Sequence, residues 1–414
     1  MKRLLILGAG TAGTMIANKL VKRLDDTWKI TIVDGDEQHR YQPGYLFLPF
    51  GELRPEQVVR PRRGLLPREV DFLCAAVDRV DAPASEVTLT DGRRLGYDYL
   101  VIATGVSPRP DQTPGMLGPA WRESIFDFYS LDGAQALAIG LQDFDGGRFV
   151  VHITDMPIKC PVAPLEFTFL ADAYFRHRGI RDRVEMVYVT PLSSAFTKPI
   201  AAAHLGSMLD DRRVTVEPDF LVEHIDAEPQ RLVSYDEREI PFDLLVTVPL
   251  NMGADFVGRS GLGDELNLVR VDKHTLLSKD YQNIFAVGDA SDIPASKAGS
   301  VAHFAVEIFV DNFIDHVNGL PMYGSFDGHA NCFVESGDGK GLLIDFNYDI
   351  EPLTGKYPLP GVGPFSLLKE TRANHLGKLA FRWMYWNLLL PGRPIPLPAH
   401  MSMAGKHPEK EGVS

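Results

Sequence analysis

The feature that most constrains this chain lies at its start. An apolar run from Arg3 to Leu7 breaks at Gly8-Ala9-Gly10-Thr11-Ala12-Gly13, passes into a helical pattern from Thr14 to Leu24, and is followed by a second strand pattern, Trp28 to Val33, ending in Asp34. Strand, helix and strand in this order make a parallel βαβ unit. Gly8, Gly10 and Gly13 allow a tight turn and a close approach of backbone to a pyrophosphate, whose charge sits on the N–H groups and positive dipole of the helix start. Asp34 can accept hydrogen bonds from ribose hydroxyls. Glycines alone would be weak evidence; with strand, helix and acidic residue all in place they predict a dinucleotide site.

The 414 residues suffice for two or three domains, since one domain takes on the order of 100–200 residues. A net charge of −13 repels a polyanion and argues against nucleic acid as a partner. Cys74, Cys160 and Cys332 are the three cysteines. They are too few for a disulfide framework and show no zinc-like spacing, so no metal is expected. The apolar run after Met1-Lys2-Arg3 stops at Gly8, too early for a signal peptide. No stretch reaches the roughly 18 consecutive apolar residues of a membrane span. The chain is expected to be soluble or to rest on a membrane surface.

Further along, short strands lead through Asp91-Gly92 to Tyr99-Leu100-Val101-Ile102-Ala103-Thr104-Gly105, and Pro108 to Gly118 has the composition of a linker. A second αβ block runs from about Arg148 to Val248. A strand, Asn283 to Val287, then ends in Gly288-Asp289, and a helical pattern covers Ser300 to Val317. Hairpin-like and Pro-rich segments follow Gly319, and Leu367 to Leu390 is again helical. Where a second phosphate loop would follow the first strand of the second block, the chain reads Val150-Val151-His152-Ile153-Thr154-Asp155-Met156-Pro157-Ile158-Lys159-Cys160-Pro161, without a glycine. A nicotinamide dinucleotide has no evident cradle there.

Ala103-Thr104-Gly105 and Gly288-Asp289, each closing a strand, resemble the second and third signatures of flavoproteins with two dinucleotide domains. Together with Lys159-Cys160-Pro161-Val162-Ala163-Pro164-Leu165-Glu166, Asn331-Cys332 and the amphipathic tail, they make nearly the whole chain resemble the sulfide:quinone oxidoreductase and flavocytochrome c sulfide dehydrogenase family. The resemblance implies an α/β fold of two Rossmann-like domains of the flavin disulfide reductase type plus a C-terminal amphipathic membrane-binding segment. Residues 1–112 and 265–320 would form the FAD domain, 113–264 the second domain without an NAD fingerprint, and 321–414 the active-site and membrane-anchoring region.

The same resemblance implies a reaction and its parts. Sulfide would be oxidised to zero-valent sulfur or polysulfide through Cys160 and Cys332, with electrons passing through FAD to a membrane quinone. Cys332 would be the sulfur beside the isoalloxazine and Cys160 its exchanging partner, with Lys159 lowering the Cys160 pKa. Gly8, Gly10, Gly13, Asp34, Thr104, Gly105, Gly288 and Asp289 would hold FAD, with Lys297 and Lys340 stabilising its reduced anion. Glu166 would relay the proton released from HS⁻ and His204 would serve quinone. Cys74, in an alternating strand, reads as a small apolar filler.

Two departures stand out. Many quinone-reducing relatives carry a further cysteine where this chain has Phe126, so a three-cysteine relay is absent and the product chain is open. No cysteine occurs between Met1 and Leu73, so FAD is expected to be non-covalent.

In the tail, Arg372, His375, Lys378 and Arg382 share about a third of the helical wheel, with Leu376, Ala380, Phe381, Trp383, Met384 and Leu388 outside it. Phe365, Lys369, Phe381, Trp383 and Trp386 are the candidates for quinone or membrane contact. The segment suits insertion into one leaflet, on the cytoplasmic face, in a monotopic protein that can also form homo-oligomers. Deleting Leu376 to Ser414 is then expected to spare the upstream FAD and cysteine sites. Three other readings remain open: a cytochrome c acceptor, an NADH:quinone reductase, and a non-catalytic flavoprotein.

Overall fold

The computed structural model describes residues 1–395 and 397–407; the end of the expected C-terminal region, 408–414, lies outside them. Lys2–Leu7 forms the middle of a five-stranded parallel sheet in the order Ile284–Ala286, Tyr99–Ile102, Lys2–Leu7, Trp28–Asp34, Asp71–Cys74. Its inner strands are apolar without alternation, and Leu4 to Leu7 are buried, as a parallel sheet covered on both faces requires. Thr11–Leu20 packs against Gly299–Val317 on one face. The strand Ile284–Ala286, far away in sequence, thus completes the sheet opened by Lys2–Leu7. All three strand ends that carry glycine motifs point the same way, toward the crevice beyond the carboxyl edge where such sheets bind ligands.

A second parallel sheet has the order Ile125–Phe126, Leu244–Val248, Gly147–Ile153, Val184–Val189, Val214–Glu217. Its helices include Leu131–Asp143, Ala163–His177 and Pro199–Asp211. Phe126 is buried against the position where a Cβ on Gly140 would sit, a packing role.

The remaining chain forms a sheet in the order Ala330–Gly337, Lys340–Phe346, Gly363–Leu367, Thr354–Leu359, Lys406–His407, covered by the helix Arg372–Met384. That helix starts later than its apolar pattern, because Gly363–Leu367 is spent as a strand. Thr371 caps it, its hydroxyl accepting from Asn374 N at 3.1 Å. A π-helical turn, Tyr385–Leu389, follows. No described helix is long and apolar enough to cross a membrane.

The tail corrects the leaflet reading in part. Tyr385, Trp386, Leu389 and Leu390 are buried in the protein. Trp386 packs on His39 and Tyr41, with the Arg60 guanidinium over its ring at 4.4 Å, so it cannot meet lipid. Part of the basic side faces inward too: His375 reaches Glu335 and Lys378 reaches Glu166, while Arg372 is exposed. Leu376, Leu379 and Trp383, at helical spacing, are 62%, 44% and 61% exposed and form an apolar ridge. Phe381 is half-buried with its ring 6.4 Å from that of Tyr41. Phe365 packs edge-on against Phe333 beneath Gly377, while Lys369 is exposed.

Candidate active site

A cleft with about 1130 Å³ of empty space opens at the carboxyl edge of the first sheet, lined by the turn at Gly10, by Thr104 and Gly105, and by Gly288 and Asp289. The first turn admits no side chain. Gly8 has φ +97° with a Cβ position 2.5 Å from Ala103 O, and a Cβ on Gly13 would lie 1.9 Å from Gly8 O. At Gly10 nothing lies within 4 Å of the Cβ position, which leaves the backbone open to a ligand. Asp34 Oδ2 accepts from Ala9 N at 2.8 Å, and Oδ1 pairs with Arg62 at 3.3 Å. Oδ1 also accepts from Asp36 N at 3.0 Å, so Oδ2 is the oxygen with a lone pair left for a further donor. Thr104 Oγ1 is buried at this cleft without a partner. An orphaned hydroxyl, an open backbone turn and an acidic strand end together fit a dinucleotide.

Lys297 is buried, its Nζ donating to Asp289 O at 2.9 Å and Ser291 O at 3.0 Å. Burial raises the Asp289 carboxyl pKa against the pull of Lys297 and Lys159. Lys340 is not at the cleft. It is exposed at the hairpin turn between Ala330–Gly337 and Lys340–Phe346, because an extended strand carries the chain about 3.3 Å per residue away from Cys332. His204 is also elsewhere, half-buried on Pro199–Asp211 and outside the cleft lining.

The loop between Gly147–Ile153 and Ala163–His177 is where a second pyrophosphate would sit. Here it is tied to both domains: Cys160 N donates to Lys297 O at 2.6 Å and Lys159 Nζ to Gln42 Oε1 at 2.9 Å in the first, and Lys159 N to Asn251 Oδ1 at 3.1 Å in the second. Those donors are therefore not free for phosphate. Cys160 itself has φ +45°, a left-handed backbone that a non-glycine residue holds only when its surroundings fix it. Its carbonyl accepts from Ala163 N at 2.8 Å and from the Tyr129 hydroxyl at 3.3 Å.

Cys332, half-buried on Ala330–Gly337, stands next to Phe333, whose carbonyl accepts from Lys378 Nζ at 2.9 Å. Burial pushes its thiol up to about 11 and the Cys160 thiol well above the usual range, and the negative charge of Cys332 is among the influences that raise Cys160. The cation that opposes this at both sulfurs is Lys378. Lys159, expected to lower the Cys160 pKa, is turned to Gln42 instead. Cys74 is exposed at the end of Asp71–Cys74, outside the cleft lining.

Glu166 is fully buried at the cleft. Its Oε1 accepts from Lys378 Nζ at 2.7 Å and Glu335 N at 2.8 Å, while Oε2 has no partner. Burial raises its pKa, opposed by Lys378. Lys378, Tyr129 and Tyr385 line the cleft too. The Tyr385 hydroxyl meets Thr11 Oγ1 at 2.8 Å and His39 Nε2 at 2.7 Å. Lys378 was legible only as one member of a basic stripe, and nothing local marked the other two.

Residues 2–151 match the pyridine nucleotide-disulphide oxidoreductase family. A mitochondrial sulfide:quinone oxidoreductase of Dictyostelium discoideum is 27% identical, over 94% of this chain and 86% of the relative. A type II NADH:quinone oxidoreductase of Staphylococcus aureus is 25% identical over 86% of this chain and 92% of its own. The solved sulfide:quinone oxidoreductase of Aquifex aeolicus superposes with a TM-score of 0.78 at 20% identity, covering 94% of this chain and 92% of that one. Over nearly its whole length, the chain resembles the sulfide:quinone oxidoreductases.

Proposed function

We propose that this chain is an FAD-dependent oxidoreductase that takes two electrons from sulfide and delivers them to a membrane quinone. The observation that carries the reading is that Lys378 Nζ bridges the two cysteine segments, donating to Glu166 Oε1 at 2.7 Å in the cleft that Cys160 lines and to Phe333 O at 2.9 Å beside Cys332. Oxidised to a disulfide, the two sulfurs give HS⁻ an electrophile. Attack breaks the S–S bond, leaves one cysteine as a thiolate and puts a persulfide on the other. The Lys378 ammonium stabilises the thiolate, and Glu166 Oε2, without another partner, is placed to take the proton.

FAD would be held non-covalently by Gly8, Gly10, Gly13, Asp34, Thr104, Gly105, Gly288 and Asp289, with Lys297 fixing the Asp289 loop. When bound it supplies the two-electron acceptor that regenerates the disulfide and passes electrons to quinone. With Phe126 in place of a further cysteine, a second HS⁻ takes the outer sulfur of the persulfide, breaking the S–S bond to give a hydrodisulfide and a second thiolate, and the two thiolates are the pair that is reoxidised. Leu376, Leu379 and Trp383 would seat this face peripherally on a bilayer that holds the quinone.

NADH as donor is the weaker reading, because the loop from Thr154 to Cys160 has no glycine and several of its donors are engaged within the protein. The experiment is quinone reduction by the holoprotein with sulfide or NADH as donor. Sulfide-dependent turnover that disappears in Cys160→Ser and in Cys332→Ser, both with FAD retained, is expected. Turnover surviving in both variants would refute the cysteine-pair mechanism.

A further inference from the structure

The strands Thr354–Leu359 and Gly363–Leu367 form a hairpin whose tip is apolar and uncovered: Leu359 is 58% and Val362 76% exposed. Nothing in the sulfur chemistry uses this tip. Register fixes the way it faces. Tyr357 stands opposite Phe365, and Leu359 lies two residues beyond Tyr357, so all three project from one face of the sheet. That face carries the helix Arg372–Met384, since a Cβ on Gly377 would lie 2.8 Å from the Phe365 ring. Asn374 Nδ2 donates to Ser366 O at 2.8 Å, and Gly377, one turn later, sits over Phe365, so the helix runs toward the tip. Leu359 and the ridge of Leu376, Leu379 and Trp383 are therefore on the same side of the sheet.

Charge sets this region apart as well. From 352 to 407 the sequence has seven Lys or Arg residues and a single acid, Glu370, although the whole chain carries −13. Glu370 is held by Arg212 at 3.1 Å, whereas Lys369 and Arg372, between the hairpin and the helix, are exposed. Apolar side chains beside exposed cations match a bilayer surface, where the acyl boundary takes the former and anionic headgroups meet the latter.

We propose, on the reading that the ridge of the C-terminal helix meets a bilayer, that the hairpin tip is a second insertion point and that Lys369 and Arg372 give the seated protein a preference for anionic lipid. Leu359 and Val362 enter the headgroup region beside the ridge, so the protein rests on the surface at two places. One amphipathic helix alone can roll about its axis; a second contact on the same side fixes the tilt. The cleft that this helix helps to line then keeps one orientation toward an acceptor held in the membrane.

The test is co-sedimentation of the full-length holoprotein with vesicles of phosphatidylcholine, and with vesicles in which phosphatidylglycerol replaces part of it. Wild type is compared with Leu359→Ser plus Val362→Ser, and with Lys369→Gln plus Arg372→Gln. Wild type should bind the phosphatidylglycerol vesicles about tenfold more tightly. The tip pair should weaken binding to both kinds about tenfold or more, with FAD content and bleaching by sulfide unchanged. The charge pair should lose most of the preference for phosphatidylglycerol. A tip pair that binds as wild type does would overturn the second insertion point and leave the ridge standing. Equal binding of both vesicles by wild type would overturn the lipid preference. Wild type bound to neither would overturn the ridge reading and the proposal together. A dimer seen by light scattering that the tip pair dissolves, with vesicle binding unchanged, would give the tip to a second copy of the chain and overturn its role at the membrane.

Discussion

Lys378 Nζ donates to Glu166 Oε1 at 2.7 Å, joining the C-terminal helix to the sulfur pocket across 212 residues of sequence. Glu166 is 0% and Lys378 12% exposed, so the pair is shut away from water. Removing one member leaves the other charged and unpaired. Lys378→Met should therefore destabilise the holoprotein by roughly 3–5 kcal/mol. Adding Glu166→Gln should restore most of that, measured as the midpoint of urea unfolding. A double variant no more stable than Lys378→Met would mean that the pair is not the source of the loss.

The tail lines the cleft as well as covering it. Because the Tyr385 hydroxyl holds Thr11 and His39, and Lys378 lines the cleft, deleting Leu376 to Ser414 should cost the protein its FAD. This reverses the expectation from linear order. Absorbance at the flavin band after gel filtration reads the outcome directly.

Membrane seating is separable from that role by acting only on the exposed ridge. Leu376→Ser, Leu379→Ser and Trp383→Ser together should abolish co-sedimentation with liposomes, since each side chain loses about 1.5–3 kcal/mol of apolar burial. FAD content and bleaching by sulfide should stay at wild-type levels. Unchanged sedimentation would place the contact surface elsewhere.

Thiol reactivity supplies a pH test. A thiol whose pKa is raised is protonated below that value, so its thiolate grows only as pH climbs toward it. In reduced holoprotein carrying Cys74→Ser and Cys160→Ser, alkylation of Cys332 should be slow at neutral pH and rise with a midpoint near 11. Rapid labelling at neutral pH would show that a cation controls this sulfur more strongly than burial does.

What was legible in the sequence divides by the range of the signal. The nucleotide turn could be read because Gly8, Gly10, Gly13 and Asp34 carry local backbone requirements within one βαβ unit. The glycine-free loop ending at Cys160 was readable for the same reason. Lys340 was misplaced because closeness to Cys332 in sequence says nothing about the direction of a strand, which ends at a turn before Lys340. The wheel separated the basic and apolar residues of the C-terminal helix only in part, since Leu379 fell on the basic side yet is exposed with Leu376 and Trp383, and it gave no sign of which face met the protein. A buried carboxylate, Glu166, reversed the usual expectation that charge faces water. Tyr129 and Tyr385 carry no local motif, and only tertiary contacts bring them to the cleft.

The most direct measurement is the single-turnover flavin spectrum of the holoprotein mixed first with sulfide and separately with NADH. The account predicts rapid loss of the band at about 450 nm with sulfide, slow or no loss with NADH, and no rapid phase with sulfide in Cys160→Ser or Cys332→Ser. Rapid bleaching by NADH with none by sulfide would contradict it.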